Sequence, residues 1–410
     1  MQRIRMSLPY FKNLGWEAEV VTVDPAYSEI TKDELLLQSI PDDIMIHRVN
    51  AFSKKWTSKF GVGSIALRSL LFYKRAVNRM LSKGRFDLIY FSTTQFPVCI
   101  LGRYWKKKFG VPYVIDMQDP WHSDYYIDKP KQDQPSKYWF SYRLNKYLEP
   151  IAMKAADGLV TVSEGYINDL KAKYPEIKSI PAETIPFGAF TPDLEIAVKN
   201  KSKFEPILQP NHINIVYIGR GGADMNKAIT AFFEAIQNAI QNEPEIFDRL
   251  RLYFIGTSYA PEGKGKKSVT PLAARFGIED IVIEITDRIS FYHTLAILQD
   301  ADALFVPGSD DPKYTASKIY PYLLTAKPLL AIFNSKSPAL TVLNEYGAKF
   351  ALSYDATDDL DQKIRKFLKE VINGNIGGQI YNGDALTKYS AENMTKEQCL
   401  LFDEVVKNNK

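Results

Sequence analysis

Short apolar runs alternate along this chain with longer stretches whose apolar residues recur every three or four positions. Parallel strands covered on both faces read as unbroken apolar runs, and the helices that cover them read with a 3.6-residue period. The alternation therefore predicts α/β units with parallel sheets. In the first half, strands are predicted at 18–23, 87–92, 112–117 and 158–162, with helices at 65–81 and 138–155. In the second half, strands are predicted at 213–218, 250–255, 281–285, 303–306, 329–333 and 349–352. A helix at 227–240 carries Ile229, Phe232, Phe233, Ile236 and Ile240 on one face.

The stretch around Ile185, Pro186 and Gly188 gives way to polar, Lys-rich sequence as far as Pro210, a composition that suits an interdomain connection. The expected division is an N-terminal domain at 1–188, a linker at 189–210, and a second domain at 211–390. A helix at 391–410 would pack back on the first domain. Residues 2–14 read as a helix, whereas a doubly wound domain opens with a strand and a Gly-rich turn. Either the fold lacks its first strand, or the chain starts downstream of it.

With 410 residues, two or three domains are expected. A hydrophobic share of 45% and a charged share of 24% exclude long disorder and collagen-like repeats. Cys99 and Cys399 are the only cysteines, so neither a disulfide framework nor a zinc site is readable. A reducing cytosol is the expected compartment. No run reaches the roughly 18–20 apolar residues of a membrane-spanning helix. The net charge of +4 hides an asymmetry. Residues 48–108 hold 14 Lys and Arg against one acid, Asp87, a surplus of 13 that the rest of the chain offsets with −9.

Two strand ends carry anion chemistry. Gly219, Arg220, Gly221 and Gly222 lie between a strand and a helix containing Lys227. Glycines let the backbone approach a phosphate, the helix start offers free N–H groups, and Arg220 and Lys227 supply charge. A tight structural turn reads the same way, and the pattern is neither a Walker loop nor a full G-x-G-x-x-G. After the strand at 303–306, Asp310, Thr315, Ser317 and Lys318 lead into a helix at 316–326. Hydroxyls, N–H groups and a cation at a strand end form a second anion site, with an ordinary N-cap and a solvated Lys318 as the alternative.

Five stretches in order make the chain resemble the family 4-like glycosyltransferases (glycosyl transferases group 1) of the GT-B superfamily. They are 111–121 (VPYVIDMQDPW), 159–165 (LVTVSEG), 184–188 (TIPFG), the Gly219–Arg220 turn with Lys227, and SKIYPYL from Ser317 with Lys327 and Pro328. The resemblance implies two Rossmann-like doubly wound α/β domains facing a cleft, with the first strand of the N-terminal domain missing. It implies a nucleotide-sugar donor on the second domain and a glycan or lipid-linked acceptor on the first. Substrate would bind between the domains, and closure about 185–190 would exclude water. Gly219, Arg220, Gly221 and Lys227 would hold the diphosphate with Asp310, Thr315, Ser317 and Lys318, and Arg288 would face the base. Asp119, and after it Asp116, are the catalytic candidates, with Ser163 and Glu164 on the acceptor side; a helix cap is the other reading of Asp119. Members usually retain anomeric configuration, and no cofactor or metal is expected.

The acidic pair of that family, spaced by seven residues, falls here on Lys313 and Pro321, neither of them acidic. Asp310 and Asp311 stand near the first position. A non-catalytic nucleotide-sugar-binding scaffold is therefore the rival reading, and a sugar-nucleotide epimerase on the same architecture a more distant one. In the basic segment, Lys54, Lys55, Trp56, Lys59, Phe72, Lys74, Trp105 and Lys106 interleave charge with aromatic surface. This suits an anionic membrane surface better than nucleic acid, for which no motif appears. A scattered solvated face is the alternative. The expected place is cytoplasmic, peripheral at the inner membrane face, in surface-polysaccharide biosynthesis.

Overall fold

The computed structural model describes residues 2–28, 33–60, 62–122, 124, 127, 131, 134, 138–312, 314, 316–356, 358–375 and 381–410. The chain divides into two compact units, Met1–Gly188 with Ala391–Lys410, and Ala189–Ser390. Both are α/β with all-parallel sheets.

In the first unit, β1 (Glu19–Val23) pairs with β2 (Met45–Val49). A second sheet runs β3 (Ile89–Ser92), β4 (Tyr113–Met117), β5 (Gly158–Thr161) and β6 (Ala182–Thr184) in that order. Strands β4 and β5 are buried along their whole length because helices cover both faces. The core gathers Trp105, Tyr113, Ile115, Met117, Leu148 and Met153. The tail helix Ala391–Asn408 belongs to this unit. A Cβ on Gly158 would come 2.7 Å from Val405 Cγ2, so the absence of a side chain there lets the tail lie against β5.

The helix predicted at 2–14 spans only Gln2–Ser7, followed by a turn and a 3₁₀ helix at Lys12–Leu14. Pro9 explains the break: it lacks the N–H that a continuing helix needs, and its ring crowds the preceding turn. The short first helix still anchors the unit. Arg3, fully buried, donates from Nε to Asp116 Oδ2 at 3.0 Å and from Nη2 to the Ile185 carbonyl at 2.6 Å.

The second unit has one six-stranded sheet. Its strands are β7 (Ile213–Ile218), β8 (Leu250–Ile255), β9 (Val282–Ile285), β10 (Ala303–Pro307), β11 (Leu329–Phe333) and β12 (Phe350–Ser353). The order β12-β11-β10-β7-β8-β9 places the topological switch point between β7 and β10, beyond whose carboxyl ends open α/β sheets bind ligands. Phe232, Phe233, Phe254 and Phe305 fill the core between the sheet and the helix Asn226–Asn242. The stretch read as a linker carries the helix Thr191–Lys199, which packs on the helix Phe291–Asp300 inside this unit; Tyr292 Oη donates to Asp193 at 2.9 Å. The helix predicted at 316–326 spans only Ile319–Leu324.

Candidate functional site

At the switch point of the second unit, the turn after β7 is fixed by neighbouring strand ends. The Gly219 N–H donates to the Ile255 carbonyl and the Gly221 N–H to the Thr257 carbonyl, each at 2.8 Å. Tyr217 sits beneath the turn and donates from Oη to the Arg220 carbonyl at 2.9 Å. Lys318 reaches the same hydroxyl from the other side of the switch point, Nζ to Oη 2.8 Å, with Nζ 4.5 Å from the ring centroid. A Cβ on Gly219 would overlap the Lys318 ammonium, so the glycine is what admits the lysine.

The cations here are unequally paired. Arg220 forks onto Asp224 through two bonds of 2.6 Å, and Asp224 also accepts from Ser309 Oγ at 2.7 Å, while the Asp310 N–H donates to the Asp224 carbonyl. The fork uses one N–H of each terminal nitrogen and leaves Nε–H and two further N–H groups for a ligand. Among the described residues, neither Lys318 nor Arg288 has a carboxylate at salt-bridge distance. Burial, with the positive charges of Arg220 and Arg288, pushes the Lys318 ammonium down to about 7, against the opposing pull of Asp224. Arg288 lies 5.0 Å from the exposed ring of Tyr259. Lys318 thus feels the positive charges of both Arg220 and Arg288, only partly offset by Asp224, and an added anion would relieve that repulsion.

Lys227 opens the helix Asn226–Asn242 and lies 5.8 Å over Tyr354, whose hydroxyl donates to the Ser309 carbonyl. Asp310 and Ser317 are exposed on either side of this region, while Thr315 and Lys313 lie outside the described residues. Pro321 sits in the helix Ile319–Leu324. Beneath the site, the buried Glu284 of β9 accepts from the N–H groups of Ser268, Val269 and Thr270 and the hydroxyls of Thr257 and Thr270, at 2.7–3.0 Å. It fixes the loop whose Ser268 hydroxyl donates to the Gly221 carbonyl. Asp224, Tyr217 and Glu284 escaped sequence reasoning; an acid two residues beyond a Gly-rich turn was the only signal.

In the first unit, the two aspartates of the VIDMQDPW stretch differ. Asp116 is fully buried and accepts from Arg3, Ser92 Oγ and Gln118 Nε2 at 2.6–3.0 Å, which ties the first helix to β3 and β4. Asp119 is exposed and lines a cavity of about 210 Å³ at the end of β4, with His122, Glu149, Asp169 and Lys173. Ser163 caps the helix Glu164–Lys173 through its position rather than its side chain, and Glu164 is exposed in the first turn. Trp121 also lines a second cavity of about 480 Å³, bounded by neutral residues that include Ser64, Thr94, Gln95 and Phe140. Phe96 and Trp121 stack there, centroids 5.5 Å apart. His122, Glu149 and Lys173 come from three separate helical or loop segments, so spacing alone does not reveal them.

Residues 2–188 match the family model described as "Glycosyl transferase 4-like domain". No curated protein matches the chain by sequence. Among solved structures, the chain is similar to sucrose-phosphate synthase from Thermosynechococcus elongatus, with TM-score 0.56 and 13% identity over 99% of this chain and 93% of that one. It is also similar to Anabaena HepE in complex with UDP, with TM-score 0.55 and 14% identity over 96% of this chain and 93% of that one. The N-terminal domain of Candida albicans trehalose-6-phosphate phosphatase gives TM-score 0.56 and 14% identity over 97% and 94% of the respective chains. At these identities the likeness shows the fold, the GT-B architecture.

Proposed function

We propose that this chain, whose residues 2–188 match the glycosyl transferase 4-like family model, moves a sugar from a nucleotide-sugar held by its second unit to a glycan or lipid-linked acceptor held by its first. The observation that carries the donor half is Lys318 at the switch point, which feels the charges of both Arg220 and Arg288, with two of the three lacking a carboxylate partner among the described residues. A leaving diphosphate is stabilised by preorganised cations and N–H groups, and Gly219, Gly221 and Lys227 add close backbone approach and charge. Asp310 and Ser317 flank that site, and Thr315 is assigned to it from the sequence alone. Arg288 with Tyr259 offers a stacking surface to the base. The chemistry proposed needs no metal, because fixed cations neutralise the leaving group.

On the acceptor side, Asp119 is the proposed polar contact to the attacking hydroxyl, with Ser163 and Glu164 just beyond the end of the neighbouring strand β5. Asp116 serves by position, since its carboxylate is committed to Arg3. Retention of configuration and a hexosyl donor complete the reading; an anomer-resolved NMR spectrum of the product tests the first.

The exposed basic and aromatic surface supports docking on an anionic membrane, as a lipid-linked acceptor in surface-polysaccharide assembly requires. Trp56 is 67% exposed with Lys59 Nζ 5.2 Å from its ring, and Lys54 and Lys55 are exposed beside it. Not all of the basic surplus is available: Arg68 is buried on the Phe52 and Tyr27 carbonyls, and Lys106 pairs with Asp157. Among the described residues, no helix is long and apolar enough to cross a membrane. Binding to anionic vesicles that falls with salt, and falls further in Trp56→Ala, supports this docking; equal binding to neutral vesicles refutes it.

Thermal shift across a nucleotide-sugar panel, followed by detection of nucleoside diphosphate release with glycan acceptors, tests the function. UDP, the nucleotide in the HepE complex, is the first probe. Binding without turnover in the presence of acceptor favours the scaffold reading, and a product that stays nucleotide-linked favours the epimerase.

A further inference from the structure

The cavity of about 480 Å³ in the first unit grades from an apolar floor to a polar mouth. Phe96 and Trp121, both buried, stack at its floor. Leu67, Phe140 and Leu144, half-buried, form its walls. Ser64, Thr94, Gln95 and Ser141 are exposed and belong to its opening. The indole N–H of Trp121 is committed to Asn145 Oδ1 at 3.1 Å, and no titratable side chain is part of the lining. Whatever enters the depth is therefore held by burial of apolar surface.

Two strips of exposed tryptophan and cations border the opening. Ser58 lines the cavity, and around it Lys54, Lys55, Trp56 and Lys59 are all exposed, with Lys59 Nζ 5.2 Å from the Trp56 ring. Phe140 and Ser141 line it from the helix Tyr138–Met153. Beside them Trp139, 65% exposed, and Arg143 make a second such pair at 5.8 Å, with Lys146 exposed about one turn further on. Neither strip contains an acid: residues 53–64 and 138–148 hold no Asp or Glu.

Tryptophan beside lysine and arginine suits a bilayer interface, where the indole sits at headgroup depth and the cations meet anionic lipid. Surface attraction alone gives no use to an uncharged cavity between the two strips. An amphiphile uses both, its chain on Phe96 and Trp121 and its charge at the cationic rim. A glycan fits less well, because hydroxyls reaching the floor would lose water and gain no hydrogen bond there.

We propose that this cavity takes one hydrocarbon chain of an anionic membrane lipid, whose headgroup phosphate is held by Lys59 and Arg143 at the rim. The inference rests on the membrane docking in the proposed function and goes beyond it. Docking needs only surface charge, whereas here one lipid enters the protein.

The test is saturation-transfer NMR on the full chain with octyl phosphate and octyl glucoside, both below their micelle concentrations, and with inorganic phosphate and maltotriose as competitors. Octyl phosphate should bind more tightly than octyl glucoside, and neither competitor should displace it. Leu144→Trp, which fills the cavity, should weaken both amphiphiles roughly fivefold or more. Lys59→Glu with Arg143→Glu should weaken octyl phosphate by a similar factor and leave octyl glucoside unchanged. This second variant changes only exposed side chains, so it stays informative if Leu144→Trp misfolds. UDP binding, read in parallel, reports on the second unit and should be unchanged. No binding of octyl phosphate, equal binding in a folded Leu144→Trp, no effect of the charge reversals, or displacement by maltotriose or by phosphate overturns the proposal. Binding of the native chain to anionic vesicles together with any of those results defeats the cavity alone. Octyl phosphate binding that both variants weaken, without vesicle binding, leaves the cavity standing and defeats the docking.

Discussion

Lys318 gives the sharpest prediction of the donor site. Its ammonium is held on Tyr217 between Arg220 and Arg288, and burial with those charges pushes it down to about 7. At pH 8 only about a tenth of the molecules then carry the proton in the free protein. A bound diphosphate supplies the missing negative charge and restores the proton, so binding takes up nearly one proton at pH 8. Nucleotide affinity should therefore fall about tenfold per pH unit above roughly pH 7, until the bound-state pKa is reached. The terminal phosphate of the nucleotide, with a second pKa of about 6, is about nine-tenths ionised at pH 7 and essentially fully so at pH 8, so its opposing slope is small. Calorimetry of UDP binding at pH 7, 8 and 9, in two buffers of different ionisation enthalpy, measures both the slope and the proton uptake. Lys318→Met should bind more weakly at pH 7, with a flat pH profile and no uptake. A flat profile in the native protein, or an unchanged slope in Lys318→Met, refutes the reasoning. The same shift has a stability sign. The folded pKa lies below the unfolded one, so the unfolded state holds more protons between about 7 and 10.5. The Lys318 contribution to stability therefore rises with pH through that window, and its cost is fully present below about 7.

Four other outcomes follow from named contacts. Arg220→Ala should weaken UDP binding roughly 10- to 150-fold, the loss of a charge-assisted bond worth about 1.5–3 kcal/mol, by the same calorimetry. Gly219→Ala should drive the Lys318 ammonium off Tyr217 and crowd the buried Tyr217 hydroxyl, lowering UDP affinity at least as much as Lys318→Met does and lowering the melting temperature as well. Arg3→Met strands the buried Asp116 carboxylate and should cost about 3–5 kcal/mol in denaturant unfolding. Glu284→Gln leaves part of a five-donor network unmet and should cost about 1–3 kcal/mol, with looser UDP binding.

The strands of the second unit were legible because the central ones are covered on both faces, and runs such as INIVYI, LRLYFI and LLAIF admit few other readings. Strand β2 was not. MIHRV is partly solvent-facing and polar at its centre, and among the described residues it pairs only with β1. Strand β6 is three residues at a sheet edge just before Pro186, and it reads as loop. The helix at Thr191–Lys199 was hidden among lysines that face solvent while Ile196 and Ala197 pack inward. In the site, Gly219, Arg220 and Lys318 stood out because glycines and cations at strand ends suit anion binding, although a tight turn and a solvated lysine read the same way. Glu149 did not: in sequence it is one acid in an amphipathic helix, and only the fold brings Lys173, Tyr174 and His122 around it. Asp119 was ranked ahead of Asp116, but both stayed candidates because burial, which separates them, comes from β4 being a central strand.

The central claim is that the switch point of the second unit holds the diphosphate of a sugar donor that this chain turns over. Nucleoside diphosphate release from a nucleotide-sugar panel, measured for the native chain and for Lys318→Met with a glycan acceptor present, tests it directly. Release from at least one donor, falling tenfold or more in a folded Lys318→Met, is the predicted result. Release that is undiminished in Lys318→Met, or no release from any donor that binds, would contradict it.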